Sequence, residues 1–318
     1  MKMKLETPKA VVEAREAKAG WNWFLELLVF ALVFILATIG ESIIAVPVQM
    51  YLMLTNEAYW SAVGNEDAEL LANLVMEVTS SNAYMLMMLF ANIAMILIVM
   101  LFCKLAQKRR MTTLGFVKKD IVKEYGIGLT VGFVFFTVAV LLCMITGSLR
   151  FDGLSSTFSL GIFVLFGLGY MIQGMAEEVL CRGYFLVSIG RRYPMWAAVM
   201  LNSLFFAALH LGNAGISPLA FVNLTLFGIF ASVYFIKRGS LWGIGAFHSI
   251  WNFVQGNFYG IKVSGLTTSC TILESVSVEG RELINGGTFG LEGGLAVTLV
   301  LVAGILFLLN RPAKSTEC

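Results

Sequence analysis

The chain has 318 residues, of which 58% are hydrophobic and only 13% are charged, with a formal net charge of +2. Soluble domains carry about 25% charged residues, so this composition excludes an ordinary soluble protein. It also gives no support for nucleic-acid binding, because the one strongly basic segment, 104–123, is typical of a loop that contacts lipid headgroups. Residues 1–20 are polar and charged, so we expect no cleavable signal peptide.

Apolar runs near the length of about 20 residues that a bilayer-spanning helix needs recur along the chain. They predict an all-α polytopic membrane protein with about eight transmembrane helices. The predicted spans are Trp21–Met53, Tyr84–Leu105, Tyr125–Thr146, Leu160–Ile189, Trp196–Leu211, Leu219–Ile236, Leu241–Tyr259 and Leu295–Leu309. The first contains Glu41 and Pro47, so we expect it to be tilted or broken, and no role is assigned to Glu41. The fifth is short, which suits a helix packed within protein.

Lysine and arginine collect in cytoplasmic loops, so their positions predict topology. Here most of them fall in the N-terminal segment, the even-numbered loops and the C-terminal tail: Lys2, Lys4, Lys9, Arg15, Lys18, Lys104, Lys108, Arg109, Arg110, Lys118, Lys119, Lys123, Arg191, Arg192, Lys237, Arg238, Arg311 and Lys314. The odd-numbered loops contain only Arg150, Lys262 and Arg281. This asymmetry predicts that both termini are cytoplasmic.

The same pattern predicts the organisation of the chain. Residues 1–20 form a cytoplasmic N-terminal segment, 21–310 form a single transmembrane domain, and 311–318 form a cytoplasmic tail. Residues 260–294 are rich in glycine, serine and threonine, so we expect an external loop or a short lid there.

Three predicted spans carry polar side chains that are costly in hydrocarbon and usually face a cavity or the interior of a bundle. The two histidines of the chain, His210 and His248, lie in two of them, and Glu177 lies in a third. Counting from the predicted cytoplasmic ends at 1.5 Å per residue puts Glu177 at a depth of about 20 Å, His210 at about 21 Å and His248 at about 14 Å. Asn252 follows at about 20 Å, so the four groups reach a similar level.

Helical spacing adds detail. Glu178 and Arg182 are four residues apart and can pair on one face, which lowers the cost of burying either charge. Glu177 points about 100° away from Glu178 and is free to face another partner. His248 and Asn252 also share a face, as do Phe206 and His210, so we expect Phe206 to pack beside the histidine.

Two hydrolytic chemistries fit these residues. In the first, Glu177 accepts a proton from a water that His210 orients. His248 and Asn252 then donate hydrogen bonds to the oxyanion that forms when the water attacks a peptide carbonyl. In the second, His210, His248 and Glu177 bind Zn²⁺, which activates the water, although the HExxH signature is absent. The residues favour the first version.

Three motifs in this order resemble a known family. Glu-Glu-x-x-x-Arg at 177–182, Phe-x-x-x-His at 206–210 and His-x-x-x-Asn at 248–252 are similar to the motifs of the CAAX prenyl endopeptidase and bacteriocin-processing family, also called Abi or CPBP. The resemblance covers about Tyr125–Tyr259, which would be the catalytic core.

This resemblance implies an intramembrane endopeptidase of about eight helices. It implies that Glu177 and His210 activate the water, that His248 and Asn252 form the oxyanion site, and that Glu178 and Arg182 complete the first motif. The expected substrate is a membrane-associated or lipidated peptide or protein, the expected partner is membrane lipid, and zinc is carried only as an alternative cofactor. A polytopic chain of this kind suits a bacterial plasma membrane.

Two other function classes stay open. Intramembrane carboxylates and histidines also form proton relays in transporters, although the sequence shows no internal repeat. A non-catalytic membrane scaffold or immunity protein could keep the same fold.

Overall fold

The computed structural model describes residues 5–17, 20–156 and 158–313, and it is mainly helical over these ranges. Lys2, Lys4, Lys18 and Lys314, which contribute to the predicted charge asymmetry, lie outside the described residues. In chain order the helices are α1 (Lys9–Ala17), α2 (Trp23–Leu54), α3 (Glu57–Gly64), α4 (Ala68–Ser80), α5 (Asn82–Ala91), α6 (Ile93–Leu105), α7 (Ile121–Ile145), α8 (Leu160–Glu178), α9 (Val187–Gly190), α10 (Met195–Ala208), α11 (Pro218–Arg238), α12 (Leu241–Phe253), α13 (Glu282–Asn285) and α14 (Leu295–Leu309). Strands β1 (Leu149–Leu154) and β2 (Leu273–Ser277) pair in an antiparallel sheet.

Five helical segments of the described residues are long and apolar enough to cross a membrane: Trp23–Leu54, Asn82–Leu105, Ile121–Ile145, Leu160–Gly190 and Pro218–Arg238. α10 and α14 are apolar but shorter. These segments and α12 coincide with the predicted spans, and the chain is a multi-pass membrane protein. The first span was expected to be tilted or broken, and α2 runs through Pro47 without a break, which leaves the tilt as a prediction.

The burial of the helices separates a central layer from a lipid-facing one. Of the apolar window in α11, 67% is buried within the protein, against 17% in α2. α2 accordingly exposes large apolar side chains such as Leu32, Ile39 and Ile43, which suits contact with lipid tails. α11 packs against α10, α12 and α14, and its Phe227 and Phe230 form ring contacts with Phe247 of α12. The interior of the bundle is therefore built around α11 and α12.

The segments with predicted cytoplasmic lysines and arginines meet at one end of the bundle. Glu26 at the start of α2 pairs with Arg191 after α9 (Nη2–Oε1 3.0 Å), and Glu124 in α7 pairs with Arg238 at the end of α11 (2.7 Å). Arg109, after α6, donates a hydrogen bond to the carbonyl oxygen of Gly183 (2.9 Å). Burial lowers the pKa of Arg109 to about 10. The hydrogen bonds of this guanidinium to the protein replace those that it would make with water.

The opposite end contains more regular structure than a loop or lid. Residues 260–294, predicted as an external loop, contain β2, α13 and two short 3₁₀ turns. β2 pairs with β1 in the register Leu149↔Ser277 to Leu154↔Leu273, interrupted by one bulge between Phe151 and Gly153. The alternation of apolar and polar residues along β2 is short and lies among glycines and serines. Hydropathy alone therefore did not predict the strand.

Candidate active site

The site lies where α8 packs closely against α12. Gly174 makes this approach possible, because a Cβ built on it would lie 2.5 Å from the Ser249 backbone nitrogen and 2.7 Å from Ser249 Oγ. The glycine therefore brings the segment that carries Glu177 and Glu178 onto the face of α12 that carries His248 and Asn252. Any larger residue would force the two helices apart.

Both helices change from α to π geometry directly after these residues. A π-helical segment, Val179–Leu186, continues α8 and connects it to α9, and a second, Val254–Phe258, continues α12. π turns are rare and occur frequently at functional sites. Arg109 donates to the carbonyl oxygens of Gly183 and Tyr184 (2.9 and 3.5 Å), so it supports the first π segment from outside the helix.

Glu178 is the centre of a buried charge network. Its Oε1 accepts from Arg182 Nη1 at 2.8 Å and from His248 Nδ1 at 2.9 Å. The side chains of Glu178 and Arg182 are completely buried, and the expected pairing between them is confirmed. The Arg182 guanidinium also lies 4.6 Å from the centre of the Phe206 ring, a cation–π contact, and donates to the Gly228 carbonyl oxygen at 3.3 Å.

Glu177 faces away from Arg182, as its position in the helix predicts, and points to the other side of His248. Its Oε2 lies 3.7 Å from His248 Nε2, and its side chain is 23% exposed whereas that of Glu178 is fully buried. Its Oε1 accepts a hydrogen bond from Gln173 Nε2, and Gln173 Oε1 accepts from Asn252 Nδ2 at 3.0 Å. Glu177 is therefore the acid of this network that an incoming molecule can reach.

The structure thus brings five predicted residues together, namely Glu177, Glu178, Arg182, His248 and Asn252. Gln173 is an additional member that sequence reasoning missed. A signal for it was present, because Gln173 lies four residues before Glu177 and so shares its helix face.

His210 occupies a different position from the expected one. α10 ends at Ala208, and His210 lies in the following turn, where its Nδ1 is 2.8 Å from the Phe206 carbonyl oxygen. Phe206 packs beside His210, as expected, with ring centroids 4.9 Å apart, and it also lies 6.1 Å from the His248 ring. Within the part of the chain that the structure describes, His210 reaches neither Glu177 nor Glu178 within ion-pairing distance.

The donor set does not fit a metal ion. Over the described ranges, no group of three histidine, cysteine, aspartate or glutamate side chains converges as a metal site. His210 and His248 do not approach Glu177 together, and His248 Nδ1 is already engaged by Glu178. No step of the mechanism is therefore derived through zinc.

Comparison with known proteins covers part of the chain. Residues 158–254 match the sequence model of the family described as Type II CAAX prenyl endopeptidase Rce1-like. This segment begins later than the expected core, at 158 rather than at Tyr125, but it contains all three motifs. No curated protein and no solved structure matches the chain. Residues 158–254, which carry the three motifs, are therefore similar to the Type II CAAX prenyl endopeptidase Rce1-like family.

Proposed function

We propose that this protein is an intramembrane endopeptidase that hydrolyses a peptide bond in a membrane-associated or lipidated peptide or protein. The observation that carries the proposal is the pair formed by Glu177 Oε2 and His248 Nε2, 3.7 Å apart. Glu177 accepts a hydrogen bond from Gln173, and His248 Nδ1 donates one to Glu178, so both groups are fixed in position. The side chain of Glu177 is also partly exposed. The family match supports a peptidase rather than another hydrolase.

The proton on His248 follows from its partners. The Glu178 carboxylate is paired with Arg182 and acts as an acceptor, so His248 Nδ1 carries a proton. In the neutral imidazole, which is the form that the mechanism uses, Nε2 carries a lone pair and faces Glu177 across a gap too wide for a direct hydrogen bond. One water can donate one hydrogen to Glu177 Oε2 and the other to His248 Nε2, with each oxygen–acceptor distance at about 2.8 Å.

This arrangement supports a water-dependent mechanism. The water oxygen attacks the peptide carbonyl carbon, and Glu177 Oε2 takes the proton that the water loses. Asn252 donates one N–H to Gln173 and keeps a second for the oxyanion of the tetrahedral intermediate. The carbon–nitrogen bond then breaks as the leaving nitrogen takes up a proton. Here His248 positions the water, in place of the role as oxyanion donor that the resemblance implied.

His210 is proposed to contact the substrate rather than the water. Its Nδ1 donates to the Phe206 carbonyl, which leaves Nε2 as an acceptor, and the side chain is half-buried at the end of α10. Phe206 connects it to the charge network through its contacts with Arg182 and His248.

The membrane placement belongs to the same proposal. We infer eight crossings, with the end that contains Arg109, Arg191 and Arg238 in the cytoplasm, because basic loops are retained on that side. A bacterial plasma membrane suits the chain. Substrates then reach Glu177 from the cytoplasmic side or laterally from lipid.

A panel of fluorogenic farnesylated and unmodified peptides tests the proposal. Purified wild type, Glu177→Ala and His248→Ala are compared, each with and without chelator and added Zn²⁺, and products are identified by mass. We expect the wild type to cleave a lipidated peptide, the two variants to lose cleavage, and the chelator to have no effect. Full cleavage by either variant contradicts the assigned site. Absence of cleavage by the wild type shifts support to the transporter or scaffold.

A further inference from the structure

Glu41 is an acidic residue inside the membrane that the mechanism above does not use. It lies in the middle of α2, far from either helix end. Its Oε1 is buried and, within the described ranges, has no hydrogen-bond partner. The residue is half-buried, and a buried carboxyl oxygen without a partner is costly, so its presence requires an explanation.

The helical pattern of α2 turns Glu41 toward the protein interior. Val33, Ala37 and Ala45 are buried on one stripe of this helix, with exposures of 0, 0 and 5%. Glu41 lies four residues after Ala37 and four before Ala45, so it belongs to the same stripe. The lipid-facing positions Ile39 and Ile43 lie on other faces.

Contacts between α2 and the π segment after α8 set the depth of Glu41. Glu26 meets Arg191 and Phe30 stacks on Phe185 (centroids 4.2 Å apart), so the two chains run antiparallel. From the Phe30–Phe185 contact, Glu41 is 11 residues further along α2, or about 16 Å at 1.5 Å per residue. Glu177 is eight residues back from Phe185, which is at most about 12 Å, because most of this stretch is the π segment and rises less per residue than an α-helix. The two carboxyl groups therefore differ in depth by about one helical turn.

Electrostatics connects the same two groups. Glu177 is the charged residue whose field acts on Glu41. On its other side Glu177 faces His248 from α12, with Glu178 and Arg182 behind it. A carboxyl oxygen that is buried without a hydrogen-bond partner favours the neutral form of its group. Glu177 accepts a hydrogen bond from Gln173 and faces His248, whereas the buried Oε1 of Glu41 has no partner within the described ranges, so the proton resides on Glu41.

We propose that Glu41 is the proton donor of the site, an inference that rests on the proposed function. In the resting site Glu41 is neutral and Glu177 is ionised. When the water attacks, its proton passes to Glu177. When the carbon–nitrogen bond breaks, its electron pair goes to nitrogen, which takes the proton from Glu41. Glu177 is then neutral and Glu41 ionised, and transfer of the proton from Glu177 back to Glu41 restores the site.

Glu41→Gln tests this role, because it keeps the size of the side chain and removes the transferable proton. With a farnesylated fluorogenic peptide that the wild type cleaves, we expect kcat to fall about 10²- to 10⁴-fold with KM within about threefold. The alkaline limb of the wild-type pH profile, which reports loss of the proton from Glu41, should disappear. Thermal stability should stay the same or rise. The matched control Ser42→Ala, on the neighbouring exposed position, should behave as the wild type.

An unchanged kcat and pH profile in Glu41→Gln overturns the proposal. If this variant is also more stable than the wild type, Glu41 destabilises the fold without a role in catalysis. Infrared absorption of protonated carboxyl groups gives a readout without substrate. The wild type at neutral pH should show such a band that Glu41→Gln lacks, and a wild type without the band contradicts the proposal. If Glu177→Gln also retains full cleavage, the assigned site has failed, whereas a wild type that cleaves no peptide contradicts the proposed function itself.

Discussion

One oxygen atom of Glu178 serves two donors, Arg182 Nη1 at 2.8 Å and His248 Nδ1 at 2.9 Å. Its charge therefore does two things at once. It compensates an arginine that has no exposed surface, and it fixes which nitrogen of the imidazole carries the proton. Position and protonation of His248 both depend on this buried carboxylate, although Glu178 itself is out of reach of a substrate.

Glu178→Gln separates these effects from chemistry at Glu177. Loss of the charge leaves Arg182 buried without an ionic partner, which costs about 3–5 kcal/mol of stability. Because the amide no longer holds the proton on Nδ1, we also expect hydrolysis to fall at least about 100-fold. Thermal unfolding and cleavage rates measure the two effects. Glu274→Gln, an exposed change on β2, is the control, and wild-type stability in Glu178→Gln would contradict the account.

Residue spacing predicted part of this network and missed the rest for a physical reason. The Glu178–Arg182 pair follows from an interval of four residues within one helical segment, and the same rule could have found Gln173. The contacts of His248 with both glutamates depend on the relative rotation of α8 and α12, which one sequence does not encode locally. His210 was expected inside a helix, but α10 ends two residues earlier, so helical spacing could not predict where its side chain lies.

At the level of the helices, the close approach of α8 and α12 determines the geometry of the site. Gly174 lies against Ser249, and both π segments begin directly beyond the polar residues that this contact aligns. Apolar length predicted where these helices are, whereas nothing in the composition of Val179–Leu186 signals π geometry. Its formation depends on tertiary contacts such as the hydrogen bonds from Arg109.

Gly174→Ala tests the importance of this contact. The added methyl group would clash with the Ser249 backbone, so we expect a loss of about 1–3 kcal/mol of stability. The cleavage rate should fall as well, because separation of the helices moves His248 from Glu177. Gly161→Ala is the matched control on the same helix, since a Cβ there meets nothing within 4 Å. Equal stability and activity of the two variants would contradict a tight α8–α12 contact.

On the scale of the whole molecule, charge is divided between the two ends of the bundle. Contacts such as Glu26–Arg191 and Glu124–Arg238 join the basic segments at one end, and the β1–β2 sheet lies at the other. The positions of lysine and arginine predicted this grouping, because alternate loops of a helical bundle return to the same side. The sheet and the short helices α3 and α4 were not predicted, since hydropathy describes the spans and not their connections.

Cysteine labelling tests the orientation of the chain. Cys103, Cys143, Cys181 and Cys270 are buried and should not react with an impermeant maleimide, and Cys318, outside the described residues, is replaced by serine. We expect Glu279→Cys to be labelled in intact cells and Lys118→Cys only after permeabilisation, since both positions are exposed but at opposite ends. The reverse pattern would contradict a cytoplasmic location of the basic end.

The most direct test of the account is the single-turnover cleavage rate of Glu177→Gln on a farnesylated peptide that the wild type hydrolyses. The amide keeps the hydrogen bond from Gln173 but cannot take a proton from water, so we expect the rate to fall about 10²- to 10⁴-fold while the variant unfolds at the wild-type temperature. Glu274→Gln should cleave at the wild-type rate. A Glu177→Gln protein that is folded and cleaves as fast as the wild type would contradict the assignment of Glu177 as the base.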